Sequence, residues 1–203
     1  MASGTILTIG HSTHDFSGLV RLLRRHEATV VADVRSIPAS RFAPQFNRDP
    51  VQYGLQRVGI KYVFLGKELG ARTYDTTCYI DGRVQYRLIA QTAEFVSGIA
   101  RLVKCAQAER IAIMCAEGDP LNCHRTLLVA RVLAENGTTV DHIHPDGRLE
   151  GHTSAMERLM LKFGLAEPEL FRTSSERLEE ALSRQERRIA YVEENSRDYT
   201  SEV

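Results

Sequence analysis

The sequence has no excess of charge. Lys and Arg together number 26, Asp and Glu together number 26, and the formal net charge over 203 residues is +0. That balance weakens the case for nucleic acid as the main partner, although a local basic patch survives a zero sum. No window approaches 18 continuous apolar residues, which excludes a membrane-spanning helix. The start, from Met1 into the short apolar stretch Thr5–Ile9, lacks the basic head and apolar core of a signal peptide. A soluble cytoplasmic protein with no membrane partner is therefore expected. Cysteine is sparse too. Four cysteines do not make a disulfide scaffold, and they are expected to be reduced.

Several familiar motifs are missing as well. Gly10-His11-Ser12-Thr13 is not a Gly-x-Gly-x-x-Gly turn, so a dinucleotide site has little support. There is no P-loop, no Gly-x-Ser-x-Gly elbow and no pair of Cys-x-x-Cys hooks for a structural zinc ion. A cysteine-phosphatase cradle is also missing, because neither Cys115 nor Cys123 stands at its usual spacing from Arg125. Nothing identifies a cofactor.

What is present is enough apolar residue, 43%, for a real core in one or two domains. The first two thirds alternate between β-rich runs and helical spacing, the pattern of an α/β domain. Strands are predicted at Gly4–Ile9, Val30–Val34, Lys61–Leu65, Arg110–Met114 and Thr138–Ile143. The Val30-Val31-Ala32 run is apolar on both faces, as in a parallel sheet covered by helices. Helices are predicted after Thr13 or Asp15, over Pro50–Val58, over Tyr86–Cys105 and over Cys123–Asn136, the last stopped by Gly137. Residues 35–50 and 66–82 read as loops. The remainder is helical, with one helix over Thr153–Phe163 and another from Glu169 to about Glu194. Leu178, Leu182, Ile189 and Val192 share one face of that last helix, which suits packing on the domain or a homo-oligomer contact. The division expected is an α/β domain over 4–152 and a helical extension over 153–203.

The densest chemistry lies in Cys115-Ala116-Glu117-Gly118-Asp119-Pro120-Leu121-Asn122-Cys123-His124-Arg125. An apolar strand delivers Cys115 to its carboxyl end, where open α/β sheets place their ligands. Asn122 is a competent N-cap, which puts Cys123, His124 and Arg125 in a first helical turn with free amides. A thiol there acquires thiolate character, more so beside an arginine. Cys115 can equally be a buried strand end, and Arg125 can pair with Glu117 or Asp119. Neighbours such as Cys123 and His124 diverge on a helix, so no metal site is expected from that pair. A set made of Cys115, Cys123, His11 and His142 is the remaining metal arrangement.

Other strand ends carry polar groups: His11 after the first, Asp33 and Arg35 after the second, His142 and His144 at the fifth. In a parallel sheet these share one rim. Cys123 is then the candidate nucleophile, with His11 or His142 moving a proton and Asp33 orienting a histidine or acting as base. Cys115 joins this catalytic set, and Arg35 and Arg125 would clamp an anion, with Glu117 and His124 beside them as substrate-binding residues. The loop from Arg35 to Arg48 adds Arg41, Phe42, Gln45, Phe46 and Asn47. Arginines hold phosphate and aromatics stack on bases, so this loop suits a nucleotide-like ligand or nucleic acid. Equally, its aromatics pack it down.

The chain resembles the bacterial and archaeal family of domains of unknown function number 488. The resemblance lies in Thr8-Ile9-Gly10-His11-Ser12, in Asp33-Val34-Arg35-Ser36-Ile37-Pro38 with Ser40-Arg41-Phe42, and in Pro44-Gln45-Phe46-Asn47. It continues through Tyr62-Val63-Phe64-Leu65 and Glu68-Leu69-Gly70, is strongest at Cys115-Ala116-Glu117 and Cys123-His124-Arg125, and returns at His142-Ile143 and Asp146-Gly147. It covers about residues 5–152 and implies a compact Rossmann-like α/β domain, without implying a reaction. Gly70-Ala71 stands where such family members carry two glycines. The expected function is an enzyme on a phosphorylated or nucleotide-like anionic substrate, by acid/base or cysteine-assisted group transfer or hydrolysis. The alternative is a non-catalytic nucleotide or nucleic-acid binding module.

Overall fold

The computed structural model describes residues 4–193. Five short, mostly apolar runs form parallel strands: β1 (Ile6–Gly10), β2 (Val30–Asp33), β3 (Lys61–Phe64), β6 (Ile111–Cys115) and β7 (Val140–Ile143). A sixth strand, β8 (Leu149–Gly151), adds antiparallel to β7, giving the order β3-β2-β6-β1-β7-β8. A small hairpin of β4 (Tyr79–Ile80) and β5 (Arg83–Val84) stands apart. Every residue of β1, β2 and β6 is buried, as expected for strands covered on both faces.

The helices are α1 (Phe16–Arg25), α2 (Arg48–Arg57), α3 (Gly66–Leu69), α4 (Tyr86–Ile89), α5 (Ala93–Cys105), α6 (Arg131–Glu135), α7 (His152–Lys162) and α8 (Ser174–Ile189). Strand alternation sorts the core into two layers. Leu7, Ile9, Val31, Ala112 and Met114 pack with Leu19 and Leu23 of α1 and Val51 and Leu55 of α2. Ile6, Val30, Ala32, Ile111 and Ile113 pack on the other face with α5, α6, α7 and α8. Each fully buried leucine in these layers contributes about 2 kcal/mol. The result is a Rossmann-like α/β domain with a mostly parallel sheet and helices at the C-terminal end.

Local chemistry explains where the elements depart from their predicted bounds. Asp15 caps α1 by accepting the Gly18 amide. The predicted helix Tyr86–Cys105 is broken. Thr92 Oγ1 donates to the Ile89 carbonyl at 2.9 Å and accepts the Phe95 amide at 3.2 Å, closing α4 and opening α5. The stretch 66–82, read as loop, contains α3 and the hairpin. Asp81 and Gly82 take φ of 50° and 68°, the turn that an Asp-Gly pair favours between short β runs. The last helix starts later than predicted, at Ser174, because Thr173 and Glu176 form a capping box. It also ends earlier than the predicted Glu194, at Ile189, because the backbone turns extended at Ala190 (φ −63°, ψ 141°) and Val192, expected on the helix face, bridges Arg83 instead. Residues 194–203 of the expected extension lie outside the described residues.

The crossovers set up the site. From β1 to β2 and from β2 to β3 the chain passes over the α1–α2 face, whereas from β3 to β6 and from β6 to β7 it passes over the other. The carboxyl end of β6 therefore sends its loop opposite to those of both neighbours. Such switch points open a crevice beyond the strand ends.

Candidate functional site

Cys115 is the last residue of β6 and sits 6% exposed at that crevice. The chain then turns through Gly118 and a 3-10 turn, Pro120–Asn122, capped by Asp119. Cys123 follows in an extended conformation, φ −139° and ψ 141°, and its carbonyl accepts the Thr126 and Leu127 amides. Cys123 thus stands where the N-cap residue stands. Asn122 is not the cap. Its Oδ1 accepts from Gln185 Nε2 of α8 at 2.9 Å, and the same amide donates to the Leu121 carbonyl at 2.8 Å.

The extended backbone at Cys123 reverses the expectation that Cys123 and His124 diverge. His124 Nδ1 lies 3.9 Å from Cys123 Sγ and 3.7 Å from Cys115 Sγ. Its Nε2 lies 3.0 Å from the Val34 carbonyl. A carbonyl only accepts, so Nε2 carries a proton; Nδ1 then donates to sulfur in the imidazolium form and turns a lone pair toward both sulfurs in the neutral ring. The segment after His124 is a π-helical turn, Arg125–Ala130, before α6 begins. Such turns recur at functional sites.

Arg125 is fully buried. Its guanidinium donates to the Glu117 and Gly118 carbonyls, and Nε has no partner. Among the described residues no carboxylate pairs with it, so the expected pairing with Glu117 or Asp119 does not form. Asp119 instead meets Arg158 at 3.1 Å. The charge of Arg125 acts on the sulfurs. Burial opposes ionisation of Cys123, but the Cys115 thiol, Arg125 and His124 outweigh it and hold its pKa well below the ordinary value. Cys115 is pushed up by its hydrogen bond to Cys123 and by burial. The two shifts run in opposite directions, so Cys123 is the more readily ionised of the pair.

A cleft of about 340 Å³ opens over this pair. Arg35, Cys115, Glu117, Cys123 and His124 line it, together with Arg72, Tyr86 and Tyr191, which the sequence reading did not single out. Their signal is tertiary, since Tyr86 begins α4 and Tyr191 follows α8. Arg72 stacks over the Tyr191 ring at 4.5 Å. Glu117 stands at the cleft mouth, its carboxyl raised by desolvation and by the Cys123 charge.

His11 and Asp33 do not line the cleft. They lie behind Arg35 on the α1–α2 face. Asp33 accepts Arg35 Nε at 2.9 Å and Nη2 at 2.6 Å, and also takes the Tyr62 hydroxyl at 2.8 Å. Asp33 is thus the partner of a buried arginine and has no histidine to orient. Arg35 Nη1 donates to His11 Nε2 at 3.3 Å, and the His11 ring stacks on Phe46 at 4.4 Å. Burial, then Arg35, lowers the His11 pKa to about 4. His142 is fully buried in mid-strand, where Nδ1 meets Thr8 Oγ1 at 2.8 Å and Nε2 meets His152 Nδ1 at 3.1 Å. The metal set of His11 and His142 with the two cysteines does not assemble, because the two histidines point to opposite faces of the sheet.

The 35–48 loop divides. Phe46 is fully buried, and Asn47 Oδ1 accepts the Ser40 amide at 2.7 Å, so both shape the loop from within. Phe42 is 97% exposed, and Arg41 beside it is exposed.

The family model "Domain of unknown function DUF488" matches residues 15–132. The chain belongs to this family. Asp33, Arg35, Cys115, Cys123, His124 and Arg125 all fall inside the matched DUF488 span, whereas His11 and His142 fall outside it. Comparison with curated proteins and with solved structures returned no match. Among the described residues, no helix of this DUF488 chain is long and apolar enough to cross a membrane.

Proposed function

We propose that the cleft is the active site of a cysteine-dependent enzyme acting on a phosphorylated or nucleotide-like anionic small molecule. The observation that carries this reading is the buried charge of Arg125, which has backbone carbonyls but no carboxylate beside it among the described residues. A buried cation without a counter-ion is costly, and the Cys123 thiolate is the anion within its field. A cleft of about 340 Å³ at a switch crevice is in the size range of small-ligand sites. Arg72 borders it and would hold the anion, while Arg35, committed to Asp33, the Phe46 carbonyl and His11, shapes the wall; Arg125 sits behind the sulfur and stabilises the nucleophile.

In this reading Cys123 Sγ attacks the electrophilic centre and forms a covalent bond to the transferred group. The bond to the leaving group breaks with its electron pair, and the Glu117 carboxyl supplies the proton. Water, deprotonated by the Glu117 carboxylate, then hydrolyses the intermediate and restores the thiolate. His11 and Asp33 act through Arg35 as positioning residues.

The test is alkylation of each cysteine against pH, followed by mass spectrometry, with nucleotides and sugar phosphates as protectants. Cys123 should react fastest, with its midpoint below the free thiol value of about 8.5, and an anionic protectant should slow it. Reaction of Cys123 no faster than Cys78 would overturn the reading.

A second reading, a nucleotide or nucleic-acid binding module, is favoured by the exposed Phe42 ring beside Arg41. Binding of a single-stranded oligonucleotide that survives Cys123→Ser but is lost in Phe42→Ala would establish it instead.

A further inference from the structure

We propose that Cys115, Cys123 and His124 also form a three-ligand site for a thiophilic metal ion, best fitted to Zn2+, and that its occupancy withdraws the Cys123 thiolate from substrate. The metal-binding part stands without the enzyme reading; the silencing of Cys123 rests on it.

Geometry is the first support. The two sulfurs and the imidazole nitrogen all lie within 4.8 Å of one another. Bonds of ~2.3 Å to sulfur and ~2.0 Å to nitrogen at a tetrahedral angle place nitrogen and sulfur about 3.5 Å apart. The separations from His124 Nδ1, 3.7 and 3.9 Å, are within a few tenths of that value. Little side-chain movement is needed to seat the ion.

The second support is the partner of His124. Histidines that bind metal through one nitrogen almost always donate the other N–H to a carboxylate or a backbone carbonyl, which fixes the tautomer. Here Nε2 donates to the Val34 carbonyl at 3.0 Å, leaving Nδ1 as the donor atom toward the sulfurs. The ring is held by β2, while the sulfurs come from the end of β6 and the turn after it. Three ligands from one strand end and the turn after it, with the ring braced by the neighbouring strand end, are thus brought together before any ion arrives.

Charge and access agree. Two thiolates balance a divalent ion, and Arg125 behind them leaves the site net positive, which favours an anionic fourth ligand. Cys115, Cys123 and His124 all line the cleft, so the fourth position faces it. Three protein ligands with one open position is the arrangement of reactive rather than purely structural zinc sites. Binding requires Cys115 to give up its proton, and neither sulfur then remains free to attack an electrophile.

The test uses the full chain after chelation and dialysis. Titration with Zn2+ against a chromogenic chelator should show uptake of one ion per chain. Co2+ as a spectroscopic probe should give thiolate-to-cobalt charge transfer and the visible bands of a tetrahedral site. Cys115→Ser and His124→Gln should each weaken Zn2+ binding by about 100-fold or more, while Cys78→Ser and Cys105→Ser leave it unchanged. Zinc should block alkylation of Cys123, and a chelator should restore it. Absence of stoichiometric uptake, or a cobalt spectrum without thiolate charge transfer in the unmutated chain, overturns the metal site. Zinc uptake that leaves Cys123 alkylation unchanged overturns the silencing. Fast alkylation without zinc uptake leaves the thiolate reading standing alone. Zinc uptake by a chain whose chelated form shows a slow Cys123 removes the thiolate reading and keeps the metal.

Discussion

His124 Nε2 meets the Val34 carbonyl at 3.0 Å, and this one hydrogen bond aims the opposite edge of the ring at Cys115 and Cys123. It ties the turn after β6 to the end of β2, the two strand ends that flank the cleft. Whatever chemistry the sulfurs perform, the orientation of the imidazole is set by a main-chain group rather than by another side chain.

Replacing that ring should therefore be felt at the sulfur. His124→Phe keeps an aromatic body but removes both nitrogens. In chelator-treated protein the alkylation rate of Cys123 near neutral pH should fall about tenfold, the effect of one pKa unit on thiolate fraction. Stopped-flow alkylation over a pH series measures it, and an unchanged midpoint would show that Nδ1 has no influence on the thiol.

Arg125 should be needed for both the fold and the thiolate. Arg125→Met leaves the Glu117 and Gly118 carbonyls without their donor and the Cys123 anion without a nearby cation. Stability should drop by about 3–5 kcal/mol, the cost of breaking a buried charge pair, and the Cys123 midpoint should move upward. Urea unfolding reads the first effect and the alkylation profile the second.

Gly10 should tolerate no side chain. A Cβ there would fall 1.8 Å from the Glu117 carbonyl oxygen, a backbone atom that moves only with its loop. Gly10→Ala is expected to destabilise the protein by about 1–3 kcal/mol and to slow Cys123 alkylation by displacing residues 116–118. A variant with wild-type urea midpoint would show that the loop yields freely.

Acid should destabilise the fold well before the carboxylates titrate. Burial and Arg35 lower His11 to about 4, burial lowers His152 to about 4, and His142 is lowered by burial and by His152. Each folded value lies below the unfolded one, so the unfolded chain binds more protons between about pH 6.5 and 4. Stability is full above that window and declines as pH falls through it. Unfolding free energy measured from pH 7.5 to 4.5 should decrease steadily, and His142→Gln should flatten the slope. A curve level down to pH 4.5 would contradict the buried, neutral state of these rings.

Asp33→Asn should separate a positioning role from a catalytic one. The carboxylate holds the Arg35 guanidinium through two hydrogen bonds, accepts the Arg35 amide and also takes the Tyr62 hydroxyl. Loss of its charge should cost about 3–5 kcal/mol in unfolding experiments while leaving the Cys123 alkylation midpoint unchanged.

Much of this was legible in the chain itself. Apolar runs such as Val30-Val31-Ala32 and Ile111-Ala112-Ile113 declare buried parallel strands because both faces of such a strand must leave water. The concentration of Cys115, Glu117, Cys123, His124 and Arg125 near one strand end was visible for the same local reason. Two further local signals lie in the chain: Asp81-Gly82 for the hairpin, and Thr173 with Glu176 for the start of the last helix. Other features needed the third dimension. Strand order is set by which apolar faces fit together, and only that order placed β6 between β2 and β1. It brought the Val34 carbonyl to His124, put Asp33 and His11 behind Arg35, and sent His142 to the opposite face. The extended backbone at Cys123 depends on Asn122 being taken by Gln185 of α8, sixty-three residues away in sequence. Local propensity sees a cap at Asn122, but the hydrogen-bond partner that uses up its side chain arrives only when the helices pack.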